Sequence, residues 1–197
     1  MKKIVIATNN KNKVKEIKSI LEKKNLNVEL LTLSDLNITF DVEETGLTYA
    51  KNAEKKAVEY FELCKLPVIA EDSGLSIDAL NGLPGIFSKR IYEGKSENEG
   101  NEIILENMKG IQNRSASYVA TYCYYDGANK IFANGYINGE IDEVQTEGNG
   151  FAYDKIFISK DFNKPMSLLT NDEKNGYSHR FFGLSKLIDK LEAKELL

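Results

Sequence analysis

The sequence predicts an α/β protein: a mixed sheet with flanking helices, arranged as two lobes around a central cleft. Three observations support this class. Apolar runs alternate with helical patterns over residues 2–71, which is typical of parallel strand pairs. Residues 117–137 are instead rich in β-branched and aromatic residues around a turn, which is typical of antiparallel strands. The 197 residues, 42% of them hydrophobic, can bury a sizeable core, so we expect a single two-lobed domain over 1–197.

The N-terminal elements follow from apolar patterning. Val and Ile run without alternation in KKIVIA, which indicates a strand buried on both faces. Val14, Ile17 and Leu21 recur at helical spacing, and either Thr45 or Thr48 is placed to cap the next helix. These patterns predict strands at 2–7, 28–33 and 67–71 and helices at 11–24 and 48–64.

The C-terminal elements begin with a predicted hairpin. The residues DGAN separate two aromatic-rich runs as a turn. Phe182, Leu187 and Leu191 belong to the apolar face of a last amphipathic helix. The patterns predict strands at 117–125, 130–137, 141–145 and 155–159 and a helix at 181–194.

Charge and cysteine content limit the partners. The 26 Lys and Arg residues against 30 Asp and Glu give a net charge of −4, which argues against a nucleic-acid polymer but permits a small anionic ligand. Cys64 and Cys123 are far apart and form neither a metal motif nor a disulfide framework. The start MKKIVIATNN lacks the long apolar core of a signal peptide, and no stretch is long enough to cross a membrane. We expect a cytoplasmic protein without membrane partners.

The stretch ATNNKNKVKE connects the first strand to the first helix. Backbone N–H groups, a helix N-terminus and lysines converge there, which favours an anion site at residues 8–13. The alternative is a polar turn in which Asn10 only caps the helix. The stretch lacks the glycines of a Walker motif.

Two further segments place carboxylates beside basic or polar groups. EETGLTYAKNAEKKA puts Asn52 and Lys56 on one helix face after two acids, although the acids alone would also complement the helix dipole. In VIAEDSGL, Glu71 and Asp72 follow a buried strand, and Gly74 permits a sharp turn. Paired carboxylates in such a place suit Mg²⁺; the alternative is that Asp72 or Ser73 caps a helix.

The other distinctive segments are loops. GLPGIFSKR is shaped by glycine and proline, and GNGFAYDKIF presents Phe151, Tyr153 and Asp154, which suit stacking on a base or serve as core aromatics. The only histidine, His179, lies in NGYSHR. A Ser-His-Asp triad is disfavoured, because no serine lies in a GxSxG motif.

Together these segments resemble the inosine triphosphate pyrophosphatase family, whose members are also called dITP/XTP pyrophosphatases. The matching pieces are ATNNKNKVKEI, EETGLTYAKNAEKKA, IAEDSGL, GLPGIFSKR, GNGFAYDKIF and LTNDEKNGYSHR, and they span nearly the whole chain. The resemblance implies an ITPase-like fold, similar to that of Maf-like proteins, and usually a homodimer. It implies hydrolysis of ITP, dITP and XTP to the monophosphate and pyrophosphate, which cleanses the nucleotide pool.

The resemblance also implies roles for residues. Asp72 and Lys56 would be catalytic, and Glu43 and Asp72 would hold Mg²⁺ as the cofactor. The implied substrate-binding positions are Thr8, Asn9, Asn10, Lys11, Asn12, Lys13, Ser73, Phe151, Ala152, Tyr153, Asp154, Lys174, His179 and Arg180. Among these, residues 8–13 would hold the triphosphate, and Arg180 or His179 would donate to the 6-oxo group of the base.

Four residues depart from the family pattern. Glu71 stands where the family usually has Asp, and its longer side chain could shift a metal ligand. Ala152 and Lys155 replace Gly and Pro, and Ala152 disfavours a backbone conformation with positive φ. Phe181 stands where a small residue is common. We expect these changes to alter selectivity or rate, with the activity kept.

Three other functions fit the sequence less well. A Maf-like pyrophosphatase acting on dTTP and UTP is disfavoured, because its SxSPRR-type turn is absent. A catalytically silent nucleotide-binding protein is disfavoured by the presence of Glu43, Lys56 and Asp72. A basic nucleic-acid module does not fit the net charge of −4.

Overall fold

The computed structural model describes residues 1–24, 26–91 and 93–197, without the side chain of residue 175. Its helices are α1 (Lys11–Lys23), α2 (Tyr49–Cys64), α3 (Ser88–Ile91), α4 (Glu97–Asn107), α5 (Asn171–Gly176) and α6 (His179–Glu192). Its strands are β1 (Lys2–Ala7), β2 (Val28–Thr32), β3 (Val68–Ile77), β4 (Ser115–Tyr125), β5 (Lys130–Ile141), β6 (Phe157–Ser159) and β7 (Lys164–Pro165). Among the residues described, no helix has the length and apolar character needed to cross a bilayer.

The sheet is mixed, as predicted. The described residues form seven strands in the order β2-β1-β3-β4-β5-β6-β7. β1 pairs in parallel with β2 and β3, whereas β6 pairs antiparallel with β5 and β7. The α/β class with flanking helices is therefore confirmed.

Two strand predictions were wrong. β3 does not end at the acids but continues to Ile77, because Leu75 and Ile77 are buried and alternate with the partly exposed Ser76. Gly74 therefore makes no sharp turn, and neither Asp72 nor Ser73 caps a helix. The strand expected at 141–145 is absent, because β5 ends at Ile141 and the segment after it bends.

The chain divides into two compact units. Unit 1 comprises residues 1–72, 120–135 and 179–197, and unit 2 comprises residues 73–119 and 136–178. In unit 1, β1 is buried on both faces, as predicted: Ile4 and Ile6 pack in a cluster with α1 and α6, whereas Val5 and Ala7 pack with α2. In unit 2, the buried apolar side chains come from β3, β4, β5, β6, helix α4 and the connecting loops.

A close backbone crossing in unit 1 places the start of α6 directly on β5. A Cβ built on Gly135 would lie 2.0 Å from the carbonyl oxygen of His179 and 2.2 Å from the nitrogen of Gly183. Real Cβ atoms do not approach backbone so closely, so only glycine fits at Gly135. The crossing fixes the helix turn that carries His179 and Arg180.

Candidate functional site

The turn after β1 is held by its own polar side chains. The Asn10 side chain caps α1 by accepting from the backbone nitrogens of Asn12 and Lys13 at 3.0 and 3.2 Å. The Thr8 hydroxyl accepts from the Asn10 nitrogen at 3.2 Å, and the Asn9 amide donates to Asp41 at 3.0 Å. Since Asn10 already engages two of the helix amides, anion binding at this turn would depend mainly on side chains. Of those, the side chain of Lys13 is largely buried, whereas Lys11 and Asn12 are exposed.

A buried charge network joins α1, β3 and α6. The Arg180 Nε donates to both carboxylate oxygens of Glu71 at 3.2 Å, and its Nη1 donates to Glu16 at 3.0 Å. The Lys13 ammonium lies 3.6 Å from Glu71. Glu71, where the family usually has the shorter Asp, is thus a counter-ion for two cations of unit 1.

A second charged group surrounds Asp72. Its Oδ1 lies 3.8 Å from the Lys56 ammonium, and its Oδ2 accepts from the Asn52 amide at 2.9 Å. Lys56 also donates to the Glu44 carboxylate. Asn52 and Lys56 occupy one face of α2, as their spacing predicts, and both are buried. The helix therefore presents an amide and an ammonium to a single carboxylate.

Burial and neighbouring charges shift the ionisation of this site. Burial raises the pKa of Asp72, an effect opposed by Lys56 and reinforced by Glu44. Burial lowers the pKa of Lys13 despite the favourable charge of Glu71. A carboxylate with a raised pKa accepts a proton more readily, and a lysine with a lowered pKa gains most from an arriving anion.

His179 and Arg180 differ in charge. Burial and the Arg180 cation lower the pKa of His179 well below its usual value, so the imidazole is neutral. For Arg180, burial alone would lower the pKa, but Glu71 and Glu16 outweigh it and raise the pKa. The pair therefore consists of a neutral donor or acceptor beside a fixed cation.

The acids at 43–44 are placed differently from each other. The side chain of Glu43 is exposed, and its backbone carbonyl accepts from Lys55 at 2.6 Å. Glu44 is partly buried and contacts Lys56. The structure thus brings Glu44, rather than Glu43, to the group around Asp72.

The predicted base-binding segment lies in unit 2 and is organised around Asp154. Its carboxylate accepts from Tyr118 at 3.1 Å and from Lys174 at 2.8 Å. Gly150 permits this arrangement, because a Cβ there would lie 2.1 Å from Asp154 and 2.3 Å from Lys174. The Phe151 side chain is partly exposed, whereas Tyr153 is buried and donates to the Ser88 carbonyl at 3.1 Å. Of these two aromatics, Phe151 is the more exposed.

Ala152 adopts a left-handed backbone conformation. Its φ is 55°, which lies in a region that is energetically unfavourable for non-glycine residues. The buried Asn101 amide donates to the Ala152 carbonyl at 3.1 Å, which helps to hold the turn. The expectation that alanine would disfavour positive φ at this position was therefore wrong, because Ala152 has it.

The other departures have simple local roles. Lys155, in place of Pro, donates to Asn98 at 2.9 Å and to Glu147 at 2.8 Å. Phe181 packs edge to face on Phe182 with ring centroids 5.5 Å apart. Ser73, the remaining predicted substrate contact, lies on β3 and is partly exposed.

Sequence reasoning missed Glu16 and Tyr118 and did not single out Glu44 from its neighbour. Glu16 had a usable signal, because it follows Lys13 by three positions on the same face of α1. Tyr118 and Asp154 are 36 positions apart, so their contact had no local signal.

Comparisons with known proteins found similar sequences and structures. The family model described as "Ham1 family" matches residues 4–190. A protein of Clostridium tetani named dITP/XTP pyrophosphatase is 40% identical over 98% of both chains, and one of Bacillus subtilis with the same name is 42% identical over 98% of both chains. The structure of a HAM1 protein from Coxiella burnetii superposes with a TM-score of 0.90 at 32% identity, covering 98% of this chain and all of that one.

Proposed function

This chain belongs to the Ham1 family, and we propose on that basis that it hydrolyses dITP, XTP and ITP to the monophosphate and pyrophosphate. The relatives named dITP/XTP pyrophosphatase match over almost the full length of both chains. The observation that carries the proposal is the buried Asp72 carboxylate, held between Lys56 and Asn52. This is a hydrolase site: one buried base next to cations suited to phosphates.

The triphosphate is assigned to the cations of unit 1. Lys13 and Lys56 are mostly buried, so their charges act in a medium where they interact strongly with phosphate oxygens. Thr8 and Asn9 add short polar groups at the same turn. Both lysines are paired with the protein's own acids, and the substrate would take over those pairings.

The residues fit a divalent cation. Mg²⁺ in nucleotide enzymes takes one or two carboxylates, with waters and substrate phosphates as the other ligands. Asp72 and Glu44 both adjoin Lys56 and supply such a set. No group of three or more His, Cys, Asp or Glu side chains suited to a metal occurs among the described residues, so they do not build a complete protein cage. Mg²⁺ bound there would neutralise charge on phosphoryl oxygens; Glu43 stays a predicted ligand.

The reaction consumes one water. Asp72 accepts a proton from the water as its oxygen bonds to the α-phosphorus, and the bond to the bridging oxygen of the β-phosphate breaks. The electron pair leaves with pyrophosphate. Lys13 and Lys56 stabilise the charge that spreads over the phosphoryl oxygens during this displacement.

Base selection is assigned to His179. It is neutral, and its imidazole N–H would donate to the 6-oxo group, which adenine lacks. Arg180 is committed to Glu71 and Glu16, which favours His179 over Arg180 for this role. Phe151 stays a predicted substrate contact, and Lys174 holds Asp154 in the same loop region of unit 2.

A substrate panel tests the proposal. Purified protein with Mg²⁺ is incubated separately with dITP, XTP, ITP, GTP, ATP and dTTP, and both pyrophosphate and orthophosphate are measured. We expect pyrophosphate from the first three and little from ATP or dTTP. Orthophosphate as the first product would contradict attack at the α-phosphorus, turnover of dTTP would favour a Maf-like enzyme, and binding without turnover would favour a silent nucleotide-binding protein.

The remaining expectations are part of the same proposal. The chain acts as one domain of two lobes, as a homodimer, in the cytoplasm, where the nucleotide pool is found. The family resemblance supports the dimer.

A further inference from the structure

Asn52 is a buried amide with two opposed contacts. Its Nδ2 donates to Asp72 Oδ2 at 2.9 Å, and its Oδ1 accepts from the Gly46 nitrogen at 2.7 Å. The orientation of the amide is fixed, because a backbone N–H can only donate and must therefore face the oxygen. The side chain is 1% exposed, so water does not substitute for either contact.

The two contacts link distant segments. Asp72 lies on β3, Asn52 on α2, and Gly46 in the loop that also carries Glu44. Glu44 and Asp72 both meet Lys56, one helical turn after Asn52. Gly46 is needed at this distance, because a Cβ there would lie 2.6 Å from the Asn52 oxygen.

We propose that Asn52 is a positioning residue for the reaction, which orients the Asp72 carboxylate and ties it to the Gly46 loop. By holding Oδ2, Asn52 leaves the other oxygen, Oδ1, on the Lys56 side, where a water or a phosphate-bound cation would be met. Asp72 is then presented in one rotamer rather than several. This inference rests on the proposed function, since Asp72 acts there as the base.

Asn52→Asp separates the two contacts. Its carboxylate can still accept from the Gly46 nitrogen, but it replaces the amide donor with an oxygen facing Asp72. We expect kcat to fall about 10- to 100-fold, as is typical when a residue supporting a catalytic group is lost. KM should stay within about twofold, because phosphate binding is not removed.

The matched control is Asn129→Asp. Asn129 also donates from its amide to an aspartate, Asp126, at 3.1 Å, but in the hairpin turn between β4 and β5. The chemical change is the same, and kcat should stay at the wild-type value. A second route is Gly46→Ala, which leaves Asn52 unchanged and forces its oxygen away from the loop; this variant should also lose kcat.

Hydrogen exchange of the Gly46 amide gives a readout that does not depend on turnover. Protection should be lost in Asn52→Ala and kept in Asn52→Asp.

Three results would each overturn the inference: wild-type kcat in Asn52→Asp, a raised KM with kcat preserved in that variant, or unchanged exchange in Asn52→Ala. If Asn52→Asp fails to fold, Gly46→Ala decides: wild-type kcat in that variant rejects the role. A wild-type protein that releases no pyrophosphate would instead refute the proposed function. The exchange data would still report separately on the contact between Asn52 and the Gly46 amide.

Discussion

At the scale of single residues, Asp72 is the proposed general base. It is buried, it lies beside one ammonium and one amide, and burial raises its pKa. We expect Asp72→Asn to lower kcat by ~10²–10⁴, the usual contribution of a general base. Steady-state kinetics with dITP and XTP measure the loss, and circular dichroism checks that the variant is folded. Near-normal turnover in a folded variant would remove Asp72 from the mechanism.

Ala152 offers a test of backbone strain. Its φ of 55° lies in the left-handed region, which costs an L-residue about 1–2 kcal/mol relative to a right-handed conformation. Ala152→Gly should therefore raise the free energy of unfolding by about 1 kcal/mol, after the greater entropy lost by glycine is subtracted. Urea unfolding measures the change.

The control for that substitution is Ala128→Gly. Ala128 is an exposed turn residue that does not have positive φ. It has no strain to relieve, so glycine should leave stability unchanged or reduce it by up to about 1 kcal/mol. Equal effects at the two positions would show that φ at Ala152 is not the cause.

Residue identity at the site was largely predictable, whereas residue contacts were not. Asp72 stood out because carboxylates follow an apolar run, which is costly without a purpose. The roles of Lys13 and Lys56 were implied by the family resemblance. The choice between Glu43 and Glu44 depends on which way a loop turns, and no periodicity encodes that direction. The pairing of Glu71 with Arg180 joins residues 109 positions apart, so no local pattern reveals it.

At the scale of elements, the crossing of β5 and α6 controls the position of His179 and Arg180. Gly135→Ala would drive a methyl group into the backbone of α6. Such overpacking usually costs about 1–3 kcal/mol, and we expect a lower melting temperature together with weaker discrimination between ITP and ATP. Thermal unfolding and the ratio of kcat/KM for the two nucleotides measure both effects.

A matched glycine lies in α5. A Cβ on Gly176 would meet no atom within 4 Å, so Gly176→Ala should leave stability unchanged or raise it slightly, by helix propensity. If Gly135→Ala were as mild as Gly176→Ala, the close crossing would not be a constraint in solution.

The helices that were predicted had more accurate limits than the strands, although α3, α4 and α5 were not predicted. α1, α2 and α6 were found within two residues of their ends, because their apolar spacing and caps are local signals. β3 was predicted six residues too short at its carboxyl end, because polar residues in the middle of a strand look like a boundary. The strand continues because Leu75 and Ile77 find buried positions, which depend on tertiary packing.

At the scale of the whole molecule, His179 links stability to pH. The folded protein keeps it neutral, since burial and Arg180 lower its pKa. The unfolded chain binds a proton below about pH 6.5. The stability that neutral His179 contributes is therefore complete above that pH and is lost as the pH falls towards the folded pKa, by at most about 1.4 kcal/mol per pH unit.

The experiment compares wild type with His179→Gln in urea unfolding between about pH 5 and pH 8. This is the only histidine in the chain, so the variant should lose the slope just below neutrality while carboxylate effects at lower pH remain. Identical slopes in the two proteins would show that His179 is not held neutral.

The internal ion pairs of unit 1 affect how strongly the site binds anions other than its substrate. Lys13, Lys56 and Arg180 each already face an acid of the protein itself. Any phosphate that enters must compete with those acids for the three cations. A simple anion therefore gains little binding free energy and dissociates quickly. A ligand that brings a divalent cation along offers the acids a replacement partner. Under the proposed function, the site would therefore bind a metal-bound nucleotide in preference to free phosphate.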